Sequence, residues 1–450
     1  MLIRNAEVKG CRRDVRIEAG KIASIAPALS PLAAEVIVNA GGGALLPGLV
    51  DNHCHLMATA AALQSIPCGP PDVRDGPSLA EALLTTPGSG WLRGIGYHES
   101  VAGEIDRQWL DLHGPRRPVR IQHRSGRMWI LNSAALDCLG DRAPADGRLL
   151  DRDDWLQARL RKQPLDLAEV GRRLAARGVT SITDATVRNG PEEYETLATA
   201  GLPQRLVVMG QMSLAGQRPL HRARVGAHKL HFHDHDLPPL EDVVRAVGVA
   251  HDDGRVVAAH CVTYAELAWT LSAIEEAGAL AGDRIEHGAL IDDHFAEWIA
   301  RLGLTVVTQP HFLAERGDAY RLDVPSGDHP RLYRLGGLMR QGIPLAGGSD
   351  APFGGLDPWL SVAAAVNRPH GFGNDEMLLP DAALAMWTGH PDDPGGASRM
   401  VEEGEVADLC LLDRGWDKAG RDPAAVAVDL TVVGGEIVHQ ETAIAAQSNI

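Results

Sequence analysis

Four polar residues, Lys229, His260, His287 and Asp350, each lie within or at the end of a short run with the character of a buried parallel strand. The runs are 225–232, 255–261, 283–288 and 343–350, and the four residues are 31, 27 and 63 positions apart. A parallel strand with its crossover helix takes about 30 residues. The first three therefore sit on successive strand–helix units and the fourth lies two units further on. The skipped strand is Leu304-Thr305-Val306-Val307-Thr308-Gln309, and runs at 178–184 and 204–209 supply two more upstream. Helix-like apolar patterns, such as 240–250 and 264–277, fall between them.

An earlier run, Pro47-Gly48-Leu49-Val50-Asp51-Asn52-His53-Cys54-His55, completes a set of eight. Side chains alternate faces along a strand, so His53 and His55 share one face while Cys54 turns to the other. Two neutral imidazoles side by side at a strand end can chelate one divalent ion. Eight alternating units predict an α/β fold, a (β/α)₈ TIM-type barrel whose active face is built from polar residues at the strand C-termini.

The rest of the chain is organised around that barrel. Residues 1–46 read as short strands broken by Gly, at 14–18 and 22–25, and the tail 391–450 does likewise at 408–412 and 430–438. Neither block can hold a good core alone, so both ends are expected to meet in one small β-sandwich. The barrel then occupies 47–390. Within it, the roughly 110 residues at 58–168 are too many for a simple connection; they predict an inserted α/β segment over the barrel mouth. The start, Met1-Leu2-Ile3-Arg4-Asn5-Ala6-Glu7, has no apolar core of signal-peptide length, and no apolar run approaches a membrane span. Six scattered cysteines suit free thiols in a reducing cytoplasm. A formal net charge of −16 argues against nucleic acid. There is no P-loop, no dinucleotide-binding glycine pattern and no H-E-x-x-H. The expected partner is a small-molecule substrate, with no nucleic acid and no membrane; a homo-oligomer is compatible with the sequence.

These residues resemble those of the amidohydrolase superfamily: P-G-L-V-D-N-H-C-H on strand 1, a lysine on strand 4, histidines on strands 5 and 6, and G-S-D on strand 8. Further segments are similar to the branch that contains N-substituted formamide deformylases. They are 91–96 (W-L-R-G-I-G), 118–136 (P-V-R-I-Q-H-R-S-G-R-M-W-I-L-N-S-A-A-L), 178–185, Thr308-Gln309-Pro310 and 404–413 (G-E-V-A-D-L-C-L-L-D). The resemblance covers nearly the whole chain, and implies the barrel-plus-sandwich fold and hydrolysis of a carbon–nitrogen bond other than a peptide bond. There are two departures. Branch members often follow the strand-4 lysine with Asp-Gly, where this chain has Leu230-His231-Phe232-His233-Asp234-His235-Asp236. Gly126-Arg127 stands where the branch tends to have Gly-His. Both positions are expected near the pocket, so the substrate can differ from that of the named relatives.

Lys229 is chemically conspicuous, because the chain has only five lysines and arginine supplies nearly all the other positive charge. A lysine on an interior strand is then not there merely as a cation. Burial lowers the pKa of a primary amine, which can react with CO₂ to give a carbamate; a guanidinium cannot. The alternative is a lysine paired with a buried acid. On the resemblance, His53 and His55 hold one metal, His260 and His287 a second, the CO₂-derived carbamate on Lys229 bridges them, and Asp350 binds the first. The ions are Zn first, with Mn, Fe and Co admitted by the same donors. Such a pair activates a bridging hydroxide, and Asp350 shuttles its proton to the leaving amine. The simpler readings are core histidines at 260 and 287, and a turn cap at Asp350.

His231 and His233 share the inward face with Lys229 if the strand runs that far, and would then touch substrate or bond to ligands; in a loop they are solvated. His123, Arg124 and Arg127 in the insert are candidates for recognising a polar substrate group, as is His311 beyond strand 7. The expected reaction is hydrolysis of an N-formyl, N-acyl or cyclic amide. The rival enzyme is a mononuclear aminohydrolase that deaminates a heterocycle; its strand-5 histidine is typically followed three residues later by a glutamate, where this chain has Thr263. A catalytically silent binding relative is the third reading.

Overall fold

A computed structural model describes residues 1–70, 72–140, 143–160, 164–441 and 447–448. Parts of the expected insert (71, 141–142, 161–163) and of the expected sandwich tail (442–446, 449–450) lie outside the described residues. The chain forms two compact units, Met1–Leu56 with Leu167–Ile450, and Met57–Asp166.

The first unit is dominated by an eight-stranded sheet in sequential order. Its strands are β1 (Leu49–Cys54), β2 (Val179–Asp184), β3 (Arg205–Gly210), β4 (Ala223–Leu230), β5 (Val257–Cys261), β6 (Arg284–His287), β7 (Thr305–Thr308) and β8 (Leu345–Gly347). Every neighbouring pair in the ladder is parallel. Every residue of β1, β2, β6, β7 and β8 is buried, as expected where both faces of a parallel sheet are covered. The sheet curls into a nearly closed barrel. No ladder joins β8 to β1 among the described residues; side chains and strand ends seal that seam instead. The Asn52 amide Nδ2 donates to the Gly347 carbonyl at 2.9 Å, the Ser349 amide to Asp51 Oδ1 at 2.9 Å, and the Asp350 amide to the His53 carbonyl at 2.7 Å.

Helices follow the strands, including α1 (Pro191–Ala198), α2 (Leu240–Asp252), α3 (Tyr264–Ala277) and α4 (Asp293–Leu302). On α2 the apolar positions Val243, Val247 and Ala250 are buried, at the spacing of one helical face. A capping box opens α3: Thr263 Oγ1 accepts the Glu266 amide, and the Glu266 carboxylate accepts the amides of Val262 at 2.8 Å and Thr263 at 3.1 Å.

Two strands stop sooner than the apolar runs suggested. The last rung between β4 and β5 pairs Leu230 with Ala259. Beyond it the alternating His and Asp residues turn back through a bridge between His233 and Asp236, so His231 and His233 lie on a loop. At the other end of the sheet, β8 stops at Gly347 and three further residues carry the chain to Asp350.

The two chain ends build the β-sandwich in the same unit. One sheet holds Leu2–Val8, Cys11–Glu18, Lys21–Ala26, Val36–Asn39 and Gln447–Ser448; the other joins Leu45–Pro47 to Leu409–Leu412, Val428–Val433 and Glu436–Gln440. Ile3, Val15, Ile17 and Ile22 from the N-terminal segment share one core with Leu409, Leu411, Leu430 and Val432 from the C-terminal one. The second unit has its own five-stranded sheet, running from Ile66–Pro67 through Leu92–Tyr97, Val119–His123 and Met128–Leu131 to Arg148–Leu150. Its core includes Leu79, Leu83, Leu110, Ile121 and Ile130.

Candidate metal centre

His53 is the penultimate residue of β1 and His55 lies just beyond its end, both turned to the same side. Asp350 arrives from the far side of the barrel seam. The ligand atoms of these three residues all lie within 4.8 Å of one another. His53 Nε2 is 3.4 Å and His55 Nε2 3.2 Å from Asp350 Oδ1. Three donors about 2.1 Å from one ion stand roughly 3.4 Å apart, so the cluster has the dimensions of a coordination shell. Asp350 Oδ1 is a buried oxygen with no hydrogen-bond donor satisfying it, an arrangement that a cation relieves.

The ring of His287 lies 4.8 Å from that of His53 and 4.6 Å from that of His260, centroid to centroid. His287 Nδ1 stands 3.9 Å from Asp350 Oδ2. The route by which His287 reaches the interior is unusual. Glu286 pairs in register with His260, and His287 with Cys261, so strict alternation would turn Glu286 inward and His287 outward. His287 instead takes φ +69°, and Asp350 takes φ +51°. The left-handed turn at each strand end swings the side chain into the barrel, at a cost on the order of 1–2 kcal/mol per residue.

Charge is distributed to keep the imidazoles neutral and the carboxylates ionised. Burial pushes His53 down to about 3, with Lys229 adding to the effect. Burial lowers His260 and His287 as well. It drives Asp350 upward, but the imidazoles of His55, His287 and His53 outweigh it and hold the carboxyl well below its usual range. Lys229 is 4% exposed on β4, its amine bonded to nothing among the described residues. Burial lowers its pKa, against the opposing pull of Glu286.

Glu286 is the residue that the sequence reading passed over. Its Oε2 lies 2.5 Å from His53 Nδ1, and its Oε1 accepts from Arg284 Nε at 2.7 Å. Burial would raise this carboxyl, yet Arg284, Lys229 and His53 together hold it far below the ordinary value. An ionised carboxylate can only accept, so the proton sits on His53 Nδ1 and the Nε2 lone pair faces Asp350. Gln309 does the same for His287, with Oε1 2.9 Å from Nδ1, and the Thr186 hydroxyl lies 3.0 Å from His55 Nδ1. In the sequence, the alternation that put His287 on the inner face hid Glu286, which the pairing of Glu286 with His260 reveals.

The donor set thus consists of the His53, His260 and His287 imidazoles, kept neutral by burial, together with His55, a low-pKa carboxylate and an orphaned amine. It fits divalent ions of the zinc class.

The remaining candidates are placed differently. His231 packs its ring against His260, with centroids 4.4 Å apart. His311 is buried, with Nε2 bonded to the Ser349 carbonyl at 3.1 Å, and burial holds it down at about 4. His123, Arg124 and Arg127 belong to the second unit. There His123 Nε2 meets Glu99 Oε2 at 3.1 Å, Arg127 is held by two hydrogen bonds to Asp151 at 2.7 and 2.5 Å, and Arg124 is exposed.

Among relatives, N-substituted formamide deformylase of Arthrobacter pascens is 24% identical over 540 residues, covering 98% of each chain. Among solved structures, an uncharacterized metal-dependent hydrolase from Pyrococcus furiosus superposes with a TM-score of 0.74 at 20% identity, over 92% of this chain and 98% of that one. A mutant of atrazine chlorohydrolase from Arthrobacter aurescens, complexed with zinc and atraton, gives 0.58 at 15% identity, over 98% of this chain and 95% of that one. At these identities the two structures establish the fold alone. Residues 36–439 match the amidohydrolase family, a span that takes in the whole barrel and every residue of the metal centre. The chain belongs to the amidohydrolase family.

Proposed function

We propose that the protein hydrolyses the carbon–nitrogen bond of a small N-formyl, N-acyl or cyclic amide at a centre holding two divalent ions. His53, His55 and Asp350 would hold one and His260 and His287 the other, with Lys229 as a carbamate between them. The observation that carries this reading is the Lys229 amine, buried among imidazoles with no ion-pair or hydrogen-bond partner among the described residues. An isolated buried ammonium costs several kcal/mol, and Glu286, the acid beside it, is engaged by His53 and Arg284. A neutral amine there can add to CO₂: the N–C bond forms, one proton leaves, and the product is a two-oxygen anion.

When bound, the ions supply a Lewis acid for the scissile carbonyl and lower the pKa of water. Asp350 Oδ1 takes one proton from the attacking water and returns it to the departing nitrogen as the C–N bond breaks, giving an acid and an amine. Its low pKa keeps it ready to accept, and Glu286 keeps His53 in the tautomer that can bind a cation.

The relative's name makes N-formyl amines the first substrates to try, and the neighbour complexed with zinc makes zinc the first metal. The mononuclear deaminase reading is weakened by α3, where Thr263 occupies the position of the expected glutamate and Glu266 is committed to capping backbone amides. All six cysteines are free thiols, and we place the protein in the cytoplasm; among the described residues no helix is long and apolar enough to cross a membrane.

The test pairs metal counting with turnover. Wild-type protein is expected to hold two ions per chain; one ion points to the deaminase reading and none to a silent relative. Lys229→Arg should lose the second ion and activity together, and Lys229→Ala should regain part of its activity with added acetate. Two ions and wild-type turnover in Lys229→Arg would overturn the carbamate.

A further inference from the structure

The loop leaving β4 carries three imidazoles within five residues, His231, His233 and His235, on the solvent side of the centre. The rings of His231 and His233 are 4.8 Å apart with planes crossed at 70°; those of His233 and His235 are 5.4 Å apart and nearly parallel at 13°. With His231 against His260 at 4.4 Å and His260 against His287 at 4.6 Å, the imidazoles run without a gap from the buried centre to solvent.

Neither the His231 ring nor the His233 ring makes a hydrogen bond or ion pair among the described residues, and both are exposed, so their nitrogens are open to solvent or to a ligand. Two imidazoles bound to one zinc-class ion at about 2.0–2.1 Å put their ring centroids roughly 5 Å apart. His231 and His233 stand at that separation, with their planes crossed rather than stacked. Asp234 and Asp236 flank the pair, exposed and anionic, and favour a cation there.

We propose that His231 and His233 form an accessory site for a divalent cation of the zinc class at the barrel mouth, distinct from the buried centre and weaker than it. Two protein donors, with water completing the shell, bind less tightly than the buried set. The inference is independent of which bond the enzyme hydrolyses. An ion held there lies against His260 and hinders approach to the centre, so excess metal should depress turnover.

The experiment is equilibrium dialysis of the fully loaded enzyme against rising free Zn²⁺ with the metal counted, repeated with Cu²⁺ as a spectroscopic probe of nitrogen ligation. Wild type should take up one further ion per chain beyond the tightly held ones, with two imidazole nitrogens on the copper. His233→Ala should weaken that uptake at least tenfold while retaining the tight ions, which also reports an intact fold; His235→Ala should leave it unchanged. The proposal is overturned if wild type takes up no further ion, or if the His231→Ala/His233→Ala double variant takes it up as well as wild type does.

Discussion

Glu286 decides which nitrogen of His53 carries the proton, and therefore whether that ring can bind a metal at all. Replacing it with Gln removes the charge and leaves an amide that can donate as well as accept. Glu286→Gln is expected to weaken metal binding by about 10–100-fold, measured by competition with a chromophoric chelator; unchanged affinity would reduce Glu286 to a packing residue. Asp350→Asn tests a different role. The histidines stay in place, so much of the metal should remain while turnover falls by roughly 10²–10⁴; near-normal turnover would remove Asp350 as proton carrier. The same two residues show what could be read from sequence at this scale. His53 and His55 are legible because strand alternation alone puts them on one face, and Asp350 because it ends a run two units beyond His287. Glu286 was hidden by the same alternation. Next to a ligand on a regular strand it should face the other way, and the left-handed turn that lets both residues serve one site carries no mark in a non-glycine residue.

At the scale of elements, the eight strands were legible because a sheet buried on both faces needs long apolar runs at the repeat of a strand–helix unit. Where those runs stop pairing was not. Residues 231–232 and 348–350 look like continuations of their strands, but one segment turns into a polar loop and the other is drawn across the seam by Asp51 and His53. That crossing is tight. A Cβ added at Gly348 would stand 2.6 Å from His53 Cβ and 2.9 Å from its backbone nitrogen. Gly348→Ala must therefore push β8 away from β1. We expect a destabilisation of about 1–3 kcal/mol together with loss of the tightly held metal, read by thermal melting and metal content on the same sample. A variant that melts early but keeps its metal would mean that the seam and the centre are independent.

For the whole molecule, the buried imidazoles make stability depend on acid. After chelation, His53 (about 3), His311 (about 4), His260 and His287 remain neutral in the folded protein, whereas in the unfolded chain they protonate near 6.5. A depressed folded pKa gives stability that is present above the unfolded value and lost as pH falls towards the folded one. Asp51, raised to about 6 by burial, works in the opposite sense and offsets about one proton. The chelated protein should therefore lose stability in denaturant melts as pH falls from about 6.5 to 5, the buried imidazoles outnumbering Asp51; a flat profile would mean that these rings are not buried in solution. The insert was legible as an interval too long for a loop. Its internal sheet was not, because strands of two to six residues carry too little periodicity to read. The seam has a further consequence for how the molecule comes into being. His53 and Asp350 are about 300 residues apart in the chain, and the whole Met57–Asp166 unit is synthesised between β1 and its neighbour β2. On the ribosome the first two candidate ligands, His53 and His55, must wait, with no neighbouring strand, while an independent sheet emerges. They gain their carboxylate only when the last barrel strand leaves the exit tunnel. Completion of the centre thereby waits for the seam to close, and a nascent chain arrested before Leu345, with its barrel open, should bind no ion at this centre.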